Sequence, residues 1–257
     1  MVRLIPLPAL ALALVVTTAW AADPAEVVSA KRALAAAGDS ASVPAMLRAR
    51  AQFQAMAAAE PYNATLHLWV ATATWRVVPF LRREPEKAER VLRDGLQHAD
   101  DAIRLDAKSG EAVALKAALQ GLLIQYEPQS MMTLGPEAET GLARARVLAP
   151  ENPRVWFLQG IHSLHKPAEF GGSPTVARQQ FEHAITLFAA APAVDSTALD
   201  WGEADALLWA GQAALRSADP RAAVSYYERA LGRAPANRWL KDVLLPAARD
   251  SLARVKS

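Results

Sequence analysis

Near the C-terminal end of the chain, Gly211, Ala223, Tyr227, Ala230 and Pro235 stand 12, 4, 3 and 5 residues apart. That spacing restricts the fold more than any other property of the sequence. Two antiparallel helices approach closely only where small side chains meet. An aromatic ring then closes the gap beside them, and a proline just beyond the second helix stops it. The 4, 3, 5 pattern recurs upstream at Ala49, Phe53, Met56 and Pro61, at Gly95, Ala99, Ala102 and Ala107, and at Ala138, Leu142, Ala145 and Pro150. A further copy keeps Trp156 and Gly160 on one helix and Ala177, Phe181 and Ala184 on the next. Spacing of this kind predicts stacked helix pairs.

Breakers and caps supply the boundaries. Pro24 to Ala37 reads as a helix stopped at Gly38-Asp39, and Pro44 to Ala59 as a second one ended by Glu60-Pro61. The next unit opens at Ala64 and closes near Ala107, with an extra stretch from Trp75 to Lys87 that carries Pro79 and Pro85. The third unit is lengthened around Glu127 to Met132, and the fourth by Lys166 to Ser173. A longer connection, Ala189 to Asp200, leads to the cleanest unit, Leu207 to Pro235. A last helix from Arg238 to about Val255, with Pro246 inside it, is expected to cap the array, because an open end would expose its apolar face. No alternating strand pattern survives, so the fold class is all-α. The repeat phase carries across every joint, which predicts one domain over residues 22–257.

The spacing resembles the tetratricopeptide repeat, with Trp156-x-x-x-Gly160 and Gly211 through Pro235 as its clearest matches, over most of residues 44–237. The resemblance implies a right-handed superhelical solenoid of antiparallel helix pairs whose concave face is lined by the first helix of each pair. The insertions depart from the family's regular period. The basic and asparagine side chains that would form a peptide-carboxylate clamp on successive first helices are not found. A second resemblance, carried by Pro167-Ala168-Glu169-Phe170-Gly171-Gly172 and Trp201-Gly202, is to exported bacterial repeat proteins, with a layout similar to helical periplasmic components of TRAP-type solute transporters.

The N-terminal end reads as a leader. Arg3 precedes an apolar run from Leu4 to Trp20, and Ala19-Trp20-Ala21 has the small residues that signal peptidase requires. Residues 1–21 are therefore expected to be a cleaved signal peptide, leaving no integral membrane segment and placing the protein in the periplasm or outside the cell. The chain has no cysteine, which excludes disulfides, thiolate metal sites and a cysteine nucleophile. Removing Arg3 with the leader leaves 27 basic side chains against 26 acidic ones. A balance that near neutral gives nucleic acid and acidic membranes no purchase.

Few residues point to chemistry. His162 and His165 sit three apart with Glu169 beyond, but without a third ligand at helical spacing they read as the end of a helix, not a metal site. No phosphate-cradling glycine motif, nucleophile elbow or acid–base pair occurs, so neither a cofactor nor an enzymatic activity is expected. The run Arg82-Arg83 with Glu84, Glu86 and Glu89 reads as a solvated helix face. Asn63-Ala64-Thr65 fits a glycosylation sequon but falls at a helix start. Gly171-Gly172 has two readings, a loop approached by a ligand or a left-handed helix stop with Phe170 packed beneath the next pair.

Among the tryptophans, Trp156 and Trp209 fall at core positions of first helices. Trp75 and Trp201 lie in inserted or linking segments and are candidates for a groove wall or interface anchor. Tyr126, with Met131 and Met132, forms a soft apolar cluster that suits an adaptable surface or fills space between unequal helices. The candidate protein-binding residues are thus Trp75, Tyr126, Phe170, Gly171, Gly172 and Trp201. They predict a non-enzymatic scaffold that captures a protein or peptide along its concave face, with the insertions on one rim setting specificity. The alternative is a solute-transport accessory that binds a small ligand or its receptor. Whether the concave face is open or filled by the inserts is left undecided by spacing alone.

Overall fold

The computed structural model describes residues 22–256 and is helical throughout, with no strand among the described residues. The expected leader, residues 1–21, lies outside them. Helices α1 (Pro24–Asp39) and α2 (Val43–Ala59) form the first pair, α3 (Ala64–Val77) and α4 (Pro85–Leu105) the second, and α5 (Gly110–Ile124) and α6 (Met131–Leu148) the third. The fourth pair is α7 (Pro153–His165) with α8 (Pro174–Ala190), and the fifth is α9 (Glu203–Arg216) with α10 (Pro220–Arg233). The pairs stack in chain order as a helical solenoid. No helix among the described residues is long and apolar enough to cross a membrane.

Helix starts follow from local chemistry. Pro24, Pro85, Pro153, Pro174 and Pro220 occupy first-turn positions, where a missing N–H costs nothing. Asp23, Asn63, Ser109, Asn152, Ser173 and Asp219 accept hydrogen bonds from first-turn amides and so cap their helices. Pair packing follows from the small residues. The hydrogen of Gly211 faces the ring of Tyr227, and that of Gly160 faces Phe181, with both rings wholly buried. A methyl on Gly160 would lie 2.5 Å from Phe181 Cε1.

The structure moves some boundaries. Helix α3 runs on through Trp75 and Arg76, so the insertion of the second unit is residues 78–84 and not a segment beginning at Trp75. Nothing breaks the helix before Pro79, whose ring and missing N–H turn Val78–Phe80 into a 3-10 segment. The long connection runs over residues 191–202. Beyond α10 the capping helix contains a π turn at Leu240–Leu244 immediately before α11 (Leu245–Lys256). Pro246 accounts for it. The helix widens by one residue where the proline cannot continue the ordinary bonding pattern.

Candidate functional site

Residues 191–202 run as a strap across the first helices α1, α3 and α7. Lys31 of α1 donates to the carbonyls of Ser196 and Ala198 at 2.6 and 2.9 Å and pairs with Asp200 at 2.9 Å. Trp69 of α3 donates from Nε1 to the Thr197 carbonyl at 2.9 Å. Trp201 then turns inward between first helices. Its ring centroid lies 5.5 Å from Trp75 and 5.8 Å from Phe157, and the Arg76 guanidinium covers it at 5.5 Å. Arg76 also pairs with Asp205 of α9 at 2.5 Å. Gly202, at φ +114°, makes the turn into α9 with Phe188 close against it. Trp75 and Trp201 are therefore brought together, but as the packed lining under the strap. An extended peptide would have to lie where the strap now lies.

The three insertions, by contrast, share one rim, because each follows the first helix of its pair. Residues 78–84 follow α3, 125–130 follow α5 and 166–173 follow α7. Side chains tie the second of these to the first and to α4. Tyr126 donates its hydroxyl to the Val78 carbonyl at 3.4 Å, and Arg93 of α4 pairs with Glu127. Burial raises the Tyr126 hydroxyl above its ordinary pKa, with the nearby Arg82 guanidinium opposing the shift. Arg82, Pro85, Gln125 and Tyr126 line a pocket of about 550 Å³.

Arg82 also lies within electrostatic reach of His165 at the end of α7. His165 donates from Nδ1 to the Ile161 carbonyl at 2.9 Å and meets Trp209 edge to face at 5.2 Å. Its pKa lies below the ordinary imidazole value, chiefly because apolar neighbours desolvate it, with the positive charges of Arg216 and Arg82 adding to the shift. Arg216 is held by a hydrogen bond to the Leu164 carbonyl at 2.8 Å. The rim also presents apolar side chains to solvent: Phe80 at 46%, Met132 at 75% and Phe170 at 51% exposure.

Phe170 therefore does not pack beneath the next helix pair. Helix α7 has already ended at His165, and Phe170 closes a separate 3-10 turn. Gly171 takes the left-handed conformation at φ +92° with open space around it, and Gly172 passes directly over the Lys166 carbonyl, where no side chain fits. Trp156 and Trp209 are half-buried, and Phe157 takes the core place beside Trp156. Tyr126, Phe170, Gly171 and Gly172 thus lie on the insertion rim, away from the Trp75–Trp201 pair. Spacing alone missed Phe80, Arg82 and the His165–Trp209 contact. The residues that meet there lie in different insertions or on different helices, and only the closeness of His165 to a helix end was visible in the sequence. His162 turns instead to Glu139 at 3.0 Å, which also binds Lys166.

Neither a family model nor a curated protein matches this chain. Solved structures do. One, described as the HusA haemophore from Porphyromonas gingivalis, is similar with 26% identity and a TM-score of 0.63, over 76% of this chain and 95% of that one. Another, the MamA protein, is similar with 16% identity and a TM-score of 0.38, over 85% of this chain and 96% of that one.

Proposed function

We propose that this chain is an exported, non-enzymatic binding protein of tetratricopeptide type that carries a flat aromatic, carboxylate-bearing molecule of the tetrapyrrole class on its insertion rim. One observation carries the reading. A strap of the chain itself covers the first helices, while Arg82 and Tyr126 line an open depression of about 550 Å³ on the insertion rim, with His165, packed edge to face on Trp209, within electrostatic reach of Arg82. That volume suits a ligand of this size, since small-molecule pockets run to roughly 300–1,000 Å³. Aromatic edges favour a flat apolar ring system, and the Arg82 guanidinium, which has no carboxylate partner among the described residues, favours an acidic substituent. The likeness to a haemophore supports the ligand class. In this reading Trp75 and Trp201 act from behind, holding the strap that leaves the rim as the accessible surface.

The test is titration of the purified protein with ferric haem, followed by the Soret band and by quenching of tryptophan emission. Saturable binding with a dissociation constant of about 1 μM or tighter is expected, weakened about tenfold in the Arg82→Ala, Tyr126→Ala double variant. A featureless, non-saturating titration would sink the reading. Exposed Phe80, Met132 and Phe170 favour a second one, in which a periplasmic protein or peptide docks on the same rim, as it would for a transport accessory. In that case Phe170→Ala and Met132→Ala abolish capture of the partner and leave haem titrations featureless.

A further inference from the structure

The strap is gripped from one side only. The Lys31 ammonium directs its N–H groups to the carbonyls of Ser196 and Ala198 and to the Asp200 carboxylate, and Trp69 Nε1 reaches the Thr197 carbonyl between them. Three successive carbonyls are thus held by two side chains, one on α1 and one on α3. The strap gives nothing back from its own main chain: among the described residues no backbone N–H of residues 193–200 donates to a helix. Its other bonds are local. The Asp195 carbonyl accepts from the Ala198 N–H at 3.0 Å, and the Asp195 carboxylate accepts from the Thr197 N–H at 2.8 Å and its hydroxyl at 2.6 Å. This turn presets the three carbonyls for the two donors.

Burial divides the strap into a loose part and a fixed part. Residues 191–196 are exposed throughout, whereas Leu199 and Trp201 are buried. The donors beneath are buried as well. The Lys31 side chain is 9% exposed and lies over the Trp69 ring at 5.4 Å, and that ring stacks on Phe53 with centroids 5.1 Å apart. Lifting residues 191–198 exchanges side-chain donors for water at the three carbonyls, an exchange with a small net cost, and leaves Leu199 and Trp201 seated.

We propose that residues 191–198 are a latch, with Lys31 as its catch, the Asp195 turn as its preset form and Leu199 to Trp201 as its pivot. The latch opens while the five helix pairs stay folded, and its opening is what exposes the Lys31–Trp69 face of α1 and α3. No strap residue lines the depression at Arg82 and Tyr126, so the device is separate from the ligand assigned to the rim. A local opening of this kind lies below global unfolding in free energy and exposes little surface, so it depends only weakly on denaturant. A rigid brace in the same place would open only when the whole chain does.

The experiment follows exchange of the Trp69 indole N–H into deuterated water by NMR, in the full chain and at rising urea below the unfolding transition. Loss of the signal in Trp69→Phe assigns it, and the amide of buried Ala71, in the middle of α3, reports global unfolding. In the wild type the Trp69 indole is expected to exchange through an opening on the order of a hundredfold or more easier than that of Ala71, and almost independent of urea. Lys31→Met keeps the aliphatic stem and removes the donors. It should speed Trp69 exchange by about tenfold or more beyond any change at Ala71. Asp195→Gly, which removes the turn and is bonded to neither donor, should act in the same direction, with circular dichroism confirming that both variants are folded. If Trp69 and Ala71 exchange with the same urea dependence in the wild type, the strap is a brace and the latch is wrong. Equal acceleration of both sites by Lys31→Met would overturn the role of Lys31 as the catch.

Discussion

Adding one methyl group at Gly211 sets two opposed energies against each other. In an isolated helix, alanine is favoured over glycine by about 1 kcal/mol. Here the added Cβ would lie 2.7 Å from Tyr227 Cδ1, 2.9 Å from Cζ and closer still to Cε1. Tyr227 is wholly buried, so its ring has no solvent side into which to swing. Overpacking of this kind costs about 1–3 kcal/mol. The clash offsets or outweighs the propensity, and Gly211→Ala is expected to lose up to about 2 kcal/mol net. In a chain of this length that lowers the melting temperature by up to about 8 °C.

Gly121 provides the control. It is also helical, but a Cβ there meets nothing within 4 Å, so Gly121→Ala should gain about 0.5–1 kcal/mol. Urea unfolding of both variants measures the two signs. Combining Gly211→Ala with Tyr227→Leu removes the ring atoms that collide, so the double variant should be destabilised by less than the sum of the single changes. Equal stabilities for Gly211→Ala and Gly121→Ala would refute the claim that the Gly211–Tyr227 approach holds the fifth pair together.

Two further outcomes follow from the interior. Trp201→Ala empties a site walled by Trp75, Phe157 and Arg76 and should cost about 3–5 kcal/mol in urea unfolding, with proteolysis appearing in residues 191–200; a change below about 1 kcal/mol would contradict the packed strap. Stability should also decline as pH falls below 6.5, the ordinary imidazole value, because burial lowers the pKa of His98. His67 of α3 donates from Nε2 to the Pro61 carbonyl at 3.2 Å, which leaves His98 Nδ1 to donate to His67 Nδ1 at 2.9 Å. Arg50 of α2 disfavours a charge on His98, while Asp94 and Asp101 of α4 favour one, and desolvation outweighs them. The unfolded chain then takes up the proton first. Stability is full above 6.5, falls as the pH is lowered through the folded pKa, and should fall less in His98→Asn. Urea midpoints at about pH 7.5 and 5 that do not differ would contradict this.

Helix pairing was legible in the sequence because it depends on residues a few positions apart. Gly211 and Tyr227, or Gly160 and Phe181, belong to adjacent helices whose turn is short, so spacing alone fixes which side chains meet. Helix starts were legible for the same reason, since each proline and its cap act on their own first turn. The strap was not. Residues 191–202 carry no periodicity, and their hold on Lys31 and Trp69 depends on how far the whole stack curves. Trp75 and Trp201 were singled out as aromatic residues in irregular segments, but that they face each other required the path of the strap. The rim follows the same pattern. That the insertions share an edge follows from repeat phase, whereas the nearness of Arg82 to Tyr126 and to His165 depends on the stagger between successive pairs.

The strap also changes what kind of object the solenoid is. A repeat array is ordinarily one-dimensional: each unit touches its neighbours, its stability is close to a sum of local terms, and its ends fray independently. Here Lys31 and Ser196 are 165 residues apart in the chain and Trp69 and Thr197 are 128 apart, yet both pairs are hydrogen-bonded. The first pair of helices is thereby coupled to the connection that opens the last one. Loss of either end removes contacts at the other, which converts graded fraying into a single cooperative transition. Those contacts must also wait for the intervening pairs to assemble, so the strap raises the contact order of a fold that is otherwise local and slows its final step.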